Sequence, residues 1–552
     1  MITALIAKVH EIDQSKKKAF GIADIVSGKT EVFIMPKKKE KSLHLVEATA
    51  EQKDVQNYKA RPSWAQPIID QYGNTRGWQA KPNLLAKTVL EENNMLSAVD
   101  QSGKSTNYLY NGDYWEPIDL TGIRNLVASY FYDDEHQHAY DLLSSKVVND
   151  TSNLVTALMT RERYEDTFDK EDSNNLEYVP FNYYDYNIIT NQIEEHSPER
   201  FFTYNRDYDI PDTRNGQIIG DAPLTNNWLL ESLGGDKKQL ELMKIFIGAS
   251  FYRSYKPLQF MIFITGEGGD GKSEFLDYWG SKLIGSKTNS HLSFDQIVKT
   301  GTNFALAELY HKELNTYDDL NASYIDSSMM GTAKQLTGGN PFDAEVKNKG
   351  NLRFANYAKM VFATNDMPEI QNLGFAEKRR IYIFKWNRIE NFEKKFPMME
   401  IIKERGEFVK QCIDAFSIVL LERKLGKSQQ EVLPKSEAIE ENWKQFQLDS
   451  DPVARFVASR CEADPEYKGD HGWIVGKREL YENFIDWADG HNLKVKGMTD
   501  RKFNKKMKKL GYQQAVRRID GTNTKVWMNI MLLSDNAEND IDSNIGLKKL
   551  DY

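Results

Sequence analysis

Eight residues near the middle of the chain, Gly266-Glu-Gly-Gly-Asp-Gly271-Lys272-Ser273, fit the pattern G-x-x-x-x-G-K-[ST]. In such a loop, glycines at Gly266, Gly268, Gly269 and Gly271 let successive backbone N–H groups curl around phosphate oxygens, with Asp270 inside the same turn. Lys272 then reaches the β and γ phosphates and Ser273 ligates Mg²⁺. The chemistry is nucleotide binding and phosphoryl transfer, with ATP and Mg²⁺ as cofactors. A second string, Gly103-Lys-Ser-Thr106, lacks the leading glycine, because Ala98 stands five positions before Gly103. No apolar strand feeds it, and it reads as a polar loop.

Phosphoryl transfer also needs a carboxylate at a strand end near Mg²⁺ and a second one to position or deprotonate water. Asp318-Asp319, after Glu313-Leu-Asn-Thr-Tyr317, offers that pair, and the two are left unranked. Lys359-Met-Val-Phe-Ala-Thr364-Asn365 is an apolar strand ending in polar residues, where Asn365 can sense a γ-phosphate or water. Between them, Asn348-Lys349-Gly350 is expected at the tip of a short basic hairpin. Lys347 and Lys349 there could grip nucleic-acid phosphates without reading sequence.

These residues need a scaffold. Phe260 to Thr265 is the strand that delivers the loop, and Phe275, Leu276, Trp279, Leu283 and Ile284 mark a helix ending at Gly285. Ile381-Tyr-Ile-Phe384 is a further strand, preceded by Arg379-Arg380, and Leu229 to Phe251 has helical spacing interrupted at Gly234-Gly235. Helices are expected at Glu400 to Leu425, Asp449 to Ala458 and Val475 to Asn492, and a strand at Pro180 to Ile189. From Arg501 to Arg518 the chain carries Arg501, Lys502, Lys505, Lys506, Lys508, Lys509, Arg517 and Arg518 and no acid. Helix, helix and hairpin in this region resemble a winged helix, and the local charge reversal marks a surface for DNA phosphates.

The whole chain, 552 residues with a formal net charge of -9, excludes a uniformly nucleic-acid-coated surface, so contact with DNA must be local. At 40% hydrophobic residues it can bury several cores, and no apolar run approaches the roughly 20 residues that span a bilayer. Cys412 and Cys461 are the only cysteines, too few for a disulfide framework or a cysteine zinc module, and they suit a reducing compartment. Asp133-Asp134-Glu135-His136-Gln137-His138 reads as a solvated charged stretch, since residues two apart do not share a helix face.

In this order the motifs resemble those of superfamily III replicative helicases, the primase-helicase type of phages, plasmids, staphylococcal-type mobile islands and poxviruses. The matching run is continuous from about Tyr108 to Trp386. The resemblance implies an α/β fold with an AAA+ type core that assembles into a ring, usually hexameric, and moves 3′ to 5′ on single-stranded DNA. It implies that Asp318 or Asp319 is the acid on the metal, its neighbour activating water, and that Asn365 is the sensor. Arg380, with Arg379 as second choice, would be the arginine finger for the next subunit, and Lys347 and Lys349 would line the central channel. Two positions depart from the pattern: the strand before Asp318 is unusually polar, and Asn340 stands where an aspartate is common.

The reading is an ATP-dependent DNA helicase of a phage or mobile element in the host cytoplasm, acting on single-stranded and forked DNA as a homo-oligomer without a membrane. A primase, a polymerase or an initiator is a further partner compatible with it. The rivals are a nucleotide-switched origin binder or loader without unwinding activity, and a small-molecule kinase; a fused primase lacks its cysteines and metal ligands. The expected modules are an N-terminal mixed or β-rich one over 1–105, a mixed α/β domain over 106–222 and a helical collar over 223–256. The ATPase core over 257–395, a helical extension over 396–448, the winged-helix domain over 449–533 and an acidic tail over 534–552 complete them.

Overall fold

The computed structural model describes residues 61–533 apart from 133–136, 172–175, 213–219, 299–303, 319–323, 326, 347–349, 366, 368, 371–374, 464–472, 492–494, 496–497 and 520–521. Asp319, Lys347, Lys349, His136, the first 60 residues and the acidic tail therefore lie outside the described residues. At the centre stand five parallel strands: β1 (Met261–Thr265), β2 (Asn289–Ser290), β3 (Leu314–Tyr317), β4 (Lys359–Thr364) and β5 (Ile381–Lys385). Their spatial order is β2-β3-β4-β1-β5.

Strands buried on both faces read as continuous apolar runs. Met261 and Phe263 of β1 join Met360, Phe362, Ile381 and Ile383 in the core on one side of the sheet. Ile262 and Ile264 join Val361, Ala363 and Phe384 in the core on the other. The polarity of β3 has a local cause. Asn315 is fully buried; its carboxamide accepts from the Leu292 N–H at 2.8 Å and donates to the Leu292 carbonyl at 3.0 Å. Asn289 donates to Thr316 Oγ1 at 2.9 Å. These side chains lace β3 to the two-residue edge strand β2, replacing the apolar contacts that so short a strand cannot supply.

Helices α1 (Pro223–Ser232) and α2 (Lys237–Ser250) precede the sheet, α3 (Lys272–Asp277) leaves β1 and runs on through wider turns at Tyr278–Gly285, and α4 (Arg405–Lys424) and α5 (Glu437–Asp449) follow it. The helix expected from Glu400 to Leu425 is divided at Glu404, with Met398–Lys403 forming a separate turn. A Cβ on Gly248 would fall 2.1 Å from the Cys412 carbonyl, so α2 and α4 cross at backbone contact that only glycine permits. Trp443 and Phe446 of α5 cover the opposite core, and Asn442 donates to the Ile383 carbonyl at 3.0 Å, blunting the exposed edge of β5. Helices α2 and α4 on one side and α5 on the other thus clasp the sheet.

Upstream, strands Trp115–Pro117, Ser105–Tyr110, Met95–Val99 and Thr160–Arg163 form one sheet in that order. Met95–Val99 and Ser105–Tyr110 pair antiparallel, so the boundary expected at 105 falls inside a hairpin. The residues read as a polar loop are its turn: Asp100 Oδ1 accepts from the N–H groups of Ser102 and Lys104, both at 2.9 Å, and Gly103 takes a φ of 80°. The strand expected from Pro180 to Ile189 is two short strands, Tyr178–Pro180 and Asp185–Asn187.

The C-terminal module packs α6 (Pro452–Arg460), α7 (Lys477–Gly490) and α8 (Asp500–Lys509) against a three-stranded antiparallel sheet ordered Ile474–Gly476, Thr522–Met528, Gln514–Ile519. Its own core contains Val453, Phe456, Phe484, Phe503, Met507 and Trp527. The period-3.6 apolar face of α7 was legible, but its ends lie at Lys477 and Gly490 rather than Val475 and Asn492.

Candidate functional site

In a parallel sheet, ligands bind beyond the carboxyl ends of the strands. The register puts Thr265 of β1 level with Thr364 of β4 and Lys385 of β5. Gly266, Asn365 and Trp386 consequently leave the same edge side by side. Gly269 and Gly271 adopt φ of 73° and 92°, turning the loop back on itself before α3 begins. A Cβ on Gly266 would lie 2.1 Å from Asp270 Oδ2 and 2.7 Å from the Trp386 carbonyl, so no larger residue fits there.

The Lys272 ammonium is enclosed by oxygens. It lies 2.7 Å from Asp270 Oδ2, 3.0 Å from the Glu267 carbonyl and 3.3 Å from Asn365 Oδ1. Asp270 and Lys272 are both buried, whereas Glu267, Gly268, Gly269 and Ser273 are exposed on the rim. An ammonium in an oxygen cage beside exposed loop N–H groups and a serine hydroxyl is a donor set that suits a polyphosphate and its divalent cation. Asp318, exposed, follows β3 directly; because Tyr317 pairs with Phe362, Asp318 emerges at the same edge, with β4 between it and β1.

The arginines lie at the opposite edge. Met261 at the start of β1 pairs with Ile381, and its N–H donates to the Arg380 carbonyl at 2.7 Å. A strand of five residues, about 13 Å at ~3.3 Å per step, separates that edge from the loop. Arg380 is 8% exposed and donates to Gln259 Oε1 at 2.7 Å; burial, then the charge of Arg379, depresses its pKa. Arg379 is exposed. Neither completes the loop of its own chain.

Pro341–Val346 and Gly350–Ala355 form the expected hairpin, with Lys347 and Lys349 in the tip outside the described residues. On α8, Phe503, Asn504 and Met507 face the core, leaving Arg501, Lys502, Lys505, Lys508 and Lys509 exposed. Lys506 differs from them: half-buried, it pairs with Asp451 at 2.8 Å, the residue that caps α6. Arg518 is exposed and Arg517 half-buried on the following strand.

Three features escaped the sequence. Trp386 stands beside both ends of the loop, its carbonyl next to Gly266 and its indole next to Gly271. Arg206 and Glu313 form a buried ion pair at 2.6 Å, each side chain 2% exposed. Lys359, at the start of β4, is buried with its ammonium on the carbonyls of Tyr252, Tyr357 and Ser254 at 2.9, 2.8 and 3.2 Å. Among the described residues no cluster of metal-ligating side chains and no helix long and apolar enough to cross a membrane is present.

Residues 264–380 match a family of unknown function, DUF5906, a span that contains the phosphate loop, Asp318, the hairpin, Asn365 and both arginines. Residues 448–538 match the family described as Poxvirus D5 protein-like, so the C-terminal module with its basic helix is similar to those proteins. No curated protein matches the chain. Among solved structures, the A form apo structure of the NrS-1 C terminal region aligns with 82% of this chain and 100% of its own, at 11% identity and a TM-score of 0.43. The apo structure of the NrS-1 C terminal region (305-718) aligns with 82% and 99%, at 12% identity and a TM-score of 0.40.

Proposed function

We propose that this chain is an ATP-hydrolysing DNA helicase of the replication type carried by phages and other mobile elements, with an AAA+ type core. The observation that carries the reading is the approach of Lys272 Nζ to Asn365 Oδ1, 3.3 Å, across neighbouring strands. It joins the phosphate loop to the strand end where a γ-phosphate or its attacking water would be sensed. The placement of the loop strand between β4 and β5 also supports an AAA+ type core.

In this reading the loop N–H groups and Lys272 hold the phosphates of ATP, while Ser273 and Asp318 hold Mg²⁺. Bound Mg²⁺ supplies charge neutralisation on the phosphate oxygens. Asn365 orients water, and Asp319 is the neighbour that would accept its proton. Because Arg379 and Arg380 stand at the far edge of their own sheet, either would serve the loop of a neighbouring subunit rather than its own, which supports a ring, usually of six. Exposure favours Arg379 over Arg380 for that role. Lys347 and Lys349 would grip the backbone of single-stranded DNA, with 3′ to 5′ movement. The winged-helix reading of the C-terminal module draws support from three helices followed by a hairpin, and from the exposed basic face of α8. The similarity of this module to poxvirus D5-like proteins supports a replication role.

The test is ATP-dependent separation of a forked duplex by the purified chain beside Lys272→Ala. Separation by the wild type alone supports the motor. ATP hydrolysis stimulated by DNA without separation supports instead the nucleotide-switched origin binder or loader.

A further inference from the structure

Trp386 follows β5 and is 2% exposed. Its N–H donates to the carbonyl of Thr265, the last residue of β1, at 2.7 Å. Its own carbonyl fills the space that a side chain on Gly266 would need. The indole ring stacks on Phe275 of α3, centroids 4.7 Å apart and planes inclined by 27°. The indole Nε1 lies 3.8 Å from where a Cβ on Gly271 would stand. One residue thus stands beside the first glycine of the phosphate loop, the last, and the helix that the loop opens.

The indole N–H is buried and has no acceptor among the described residues. Buried donors are nearly always paired, and an unpaired one at a binding site needs an explanation. The Gly271 end of the loop is where the peptide units must turn their N–H groups toward phosphate, and each unit that turns its N–H one way turns its carbonyl the other.

We propose that Trp386 is a positioning residue for polyphosphate binding: its indole N–H donates to a carbonyl at the Gly271 end of the loop when a nucleoside di- or triphosphate draws the loop N–H groups outward. This rests on the reading of Gly266–Ser273 as the nucleotide site. The stack on Phe275 holds the ring in place before the acceptor arrives, so the loop gains a hydrogen bond only in the loaded state.

The experiment compares the full-length wild type, Trp386→Phe and Trp386→Tyr, both of which keep a ring on Phe275 and lose the indole N–H, with Lys272→Ala as a control. Affinity for ADP and a non-hydrolysable ATP analogue is measured by calorimetry, unfolding temperature without nucleotide by scanning calorimetry, and nucleotide-induced change by ultraviolet difference absorbance in the indole band. The expected result is about fivefold weaker binding by both ring variants, the worth of one hydrogen bond. Their nucleotide-free unfolding temperature should stay at the wild-type value, and the wild-type indole difference band should be lost. Wild-type affinity in the variants overturns the proposal. So does a flat wild-type difference spectrum on binding, which needs no variant to fold. Affinity loss that merely follows a lower nucleotide-free unfolding temperature also overturns it. Absence of nucleotide binding by the wild type would overturn the nucleotide-site reading and the proposal together, which separates that failure from the others.

Discussion

Gln101 and Arg353 exchange two hydrogen bonds: Gln101 Nε2 donates to the Arg353 carbonyl at 2.7 Å, and the Arg353 N–H donates to Gln101 Oε1 at 2.8 Å. A carboxamide in the Asp100–Lys104 turn thereby pairs with the returning strand of the basic hairpin as a neighbouring strand would. The next residue, Phe354, packs edge-on against Tyr310 at 5.0 Å, and the Tyr310 hydroxyl donates to Asp169. The hairpin root is tied directly to Gln101 and, through Tyr310, to Asp169, both of which precede the phosphate loop in sequence. If the tip moves with nucleotide state, these ties constrain it. Gln101→Ala is expected to change the stimulation of ATP hydrolysis by single-stranded DNA by about two- to thirtyfold, the range of coupling energies between linked elements. The rate without DNA should not change; equal stimulation in both proteins counts against the coupling.

Arg206 and Glu313 answer to a different physics. Removing one member of a buried ion pair strands the other charge, at a cost of about 3–5 kcal/mol. Arg206→Met should therefore lower stability by that order in urea titrations. The double variant Arg206→Met, Glu313→Leu should recover much of it. A single variant as stable as the wild type would show that Glu313 finds another partner or a proton.

Lys359 gives a prediction in pH. Burial pushes its pKa from 10.5 down to about 7, while the charge of Glu313 opposes the shift. Between about pH 7 and 10 the unfolded chain thus binds more protons than the folded one, and stability rises with pH across that window. Below about pH 7 both states are charged and the full burial penalty is present. Lys359→Met should show a flatter stability profile over the window; parallel profiles would mean that the three carbonyls keep the ammonium charged.

The two arginines separate by exposure. Arg379→Ala should leave folding intact and reduce ATP turnover in the assembled protein by about 10³–10⁵, the range for arginines supplied between subunits. Arg380→Ala removes the bond to Gln259 and should lower the unfolding temperature as well. Mixed assemblies of Arg379→Ala with Lys272→Ala subunits should regain turnover at mixed interfaces. No regain in such mixtures argues against a shared site.

On α8, Lys505→Glu with Lys509→Glu should weaken duplex and single-strand binding alike and flatten its salt dependence, as lost phosphate contacts do. Lys506→Glu should instead act on stability, since it breaks the pair with Asp451. Unchanged DNA affinity in the double variant would assign the basic face to solvent.

How much of this was legible depended on how local each signal was. The phosphate loop, β1 and β4 declare themselves within a dozen residues each, because glycine spacing and continuous apolar runs are short-range patterns. The polarity of β3 looked like a defect; it has its reason in Asn289 and Leu292, more than twenty residues upstream, where the partners of Asn315 and Thr316 lie. The boundary at 105 was misplaced because a polar loop looks the same in sequence whether it joins two modules or turns one hairpin, and only the pairing of Met95–Val99 with Ser105–Tyr110 distinguishes them. Arg206 and Glu313 are 107 residues apart, and nothing near either announces the other. Trp386 ends the run of motifs, yet its place beside Gly271 arises only when β5 lies beside β1.

The glycine contact between α2 and α4 has a practical corollary. Cys412, whose carbonyl presses on Gly248, is fully buried, and burial drives its thiol pKa upward; Cys461, in the core of the C-terminal module, is pushed up to about 12. Each is protonated and shielded while its own core is closed. A maleimide or disulfide reagent applied to the native chain would react at Cys412 only as fast as the helix pair at the centre opens, and at Cys461 only as fast as the C-terminal core does. With no third thiol to confuse the readout, the chain carries a built-in clock for each body.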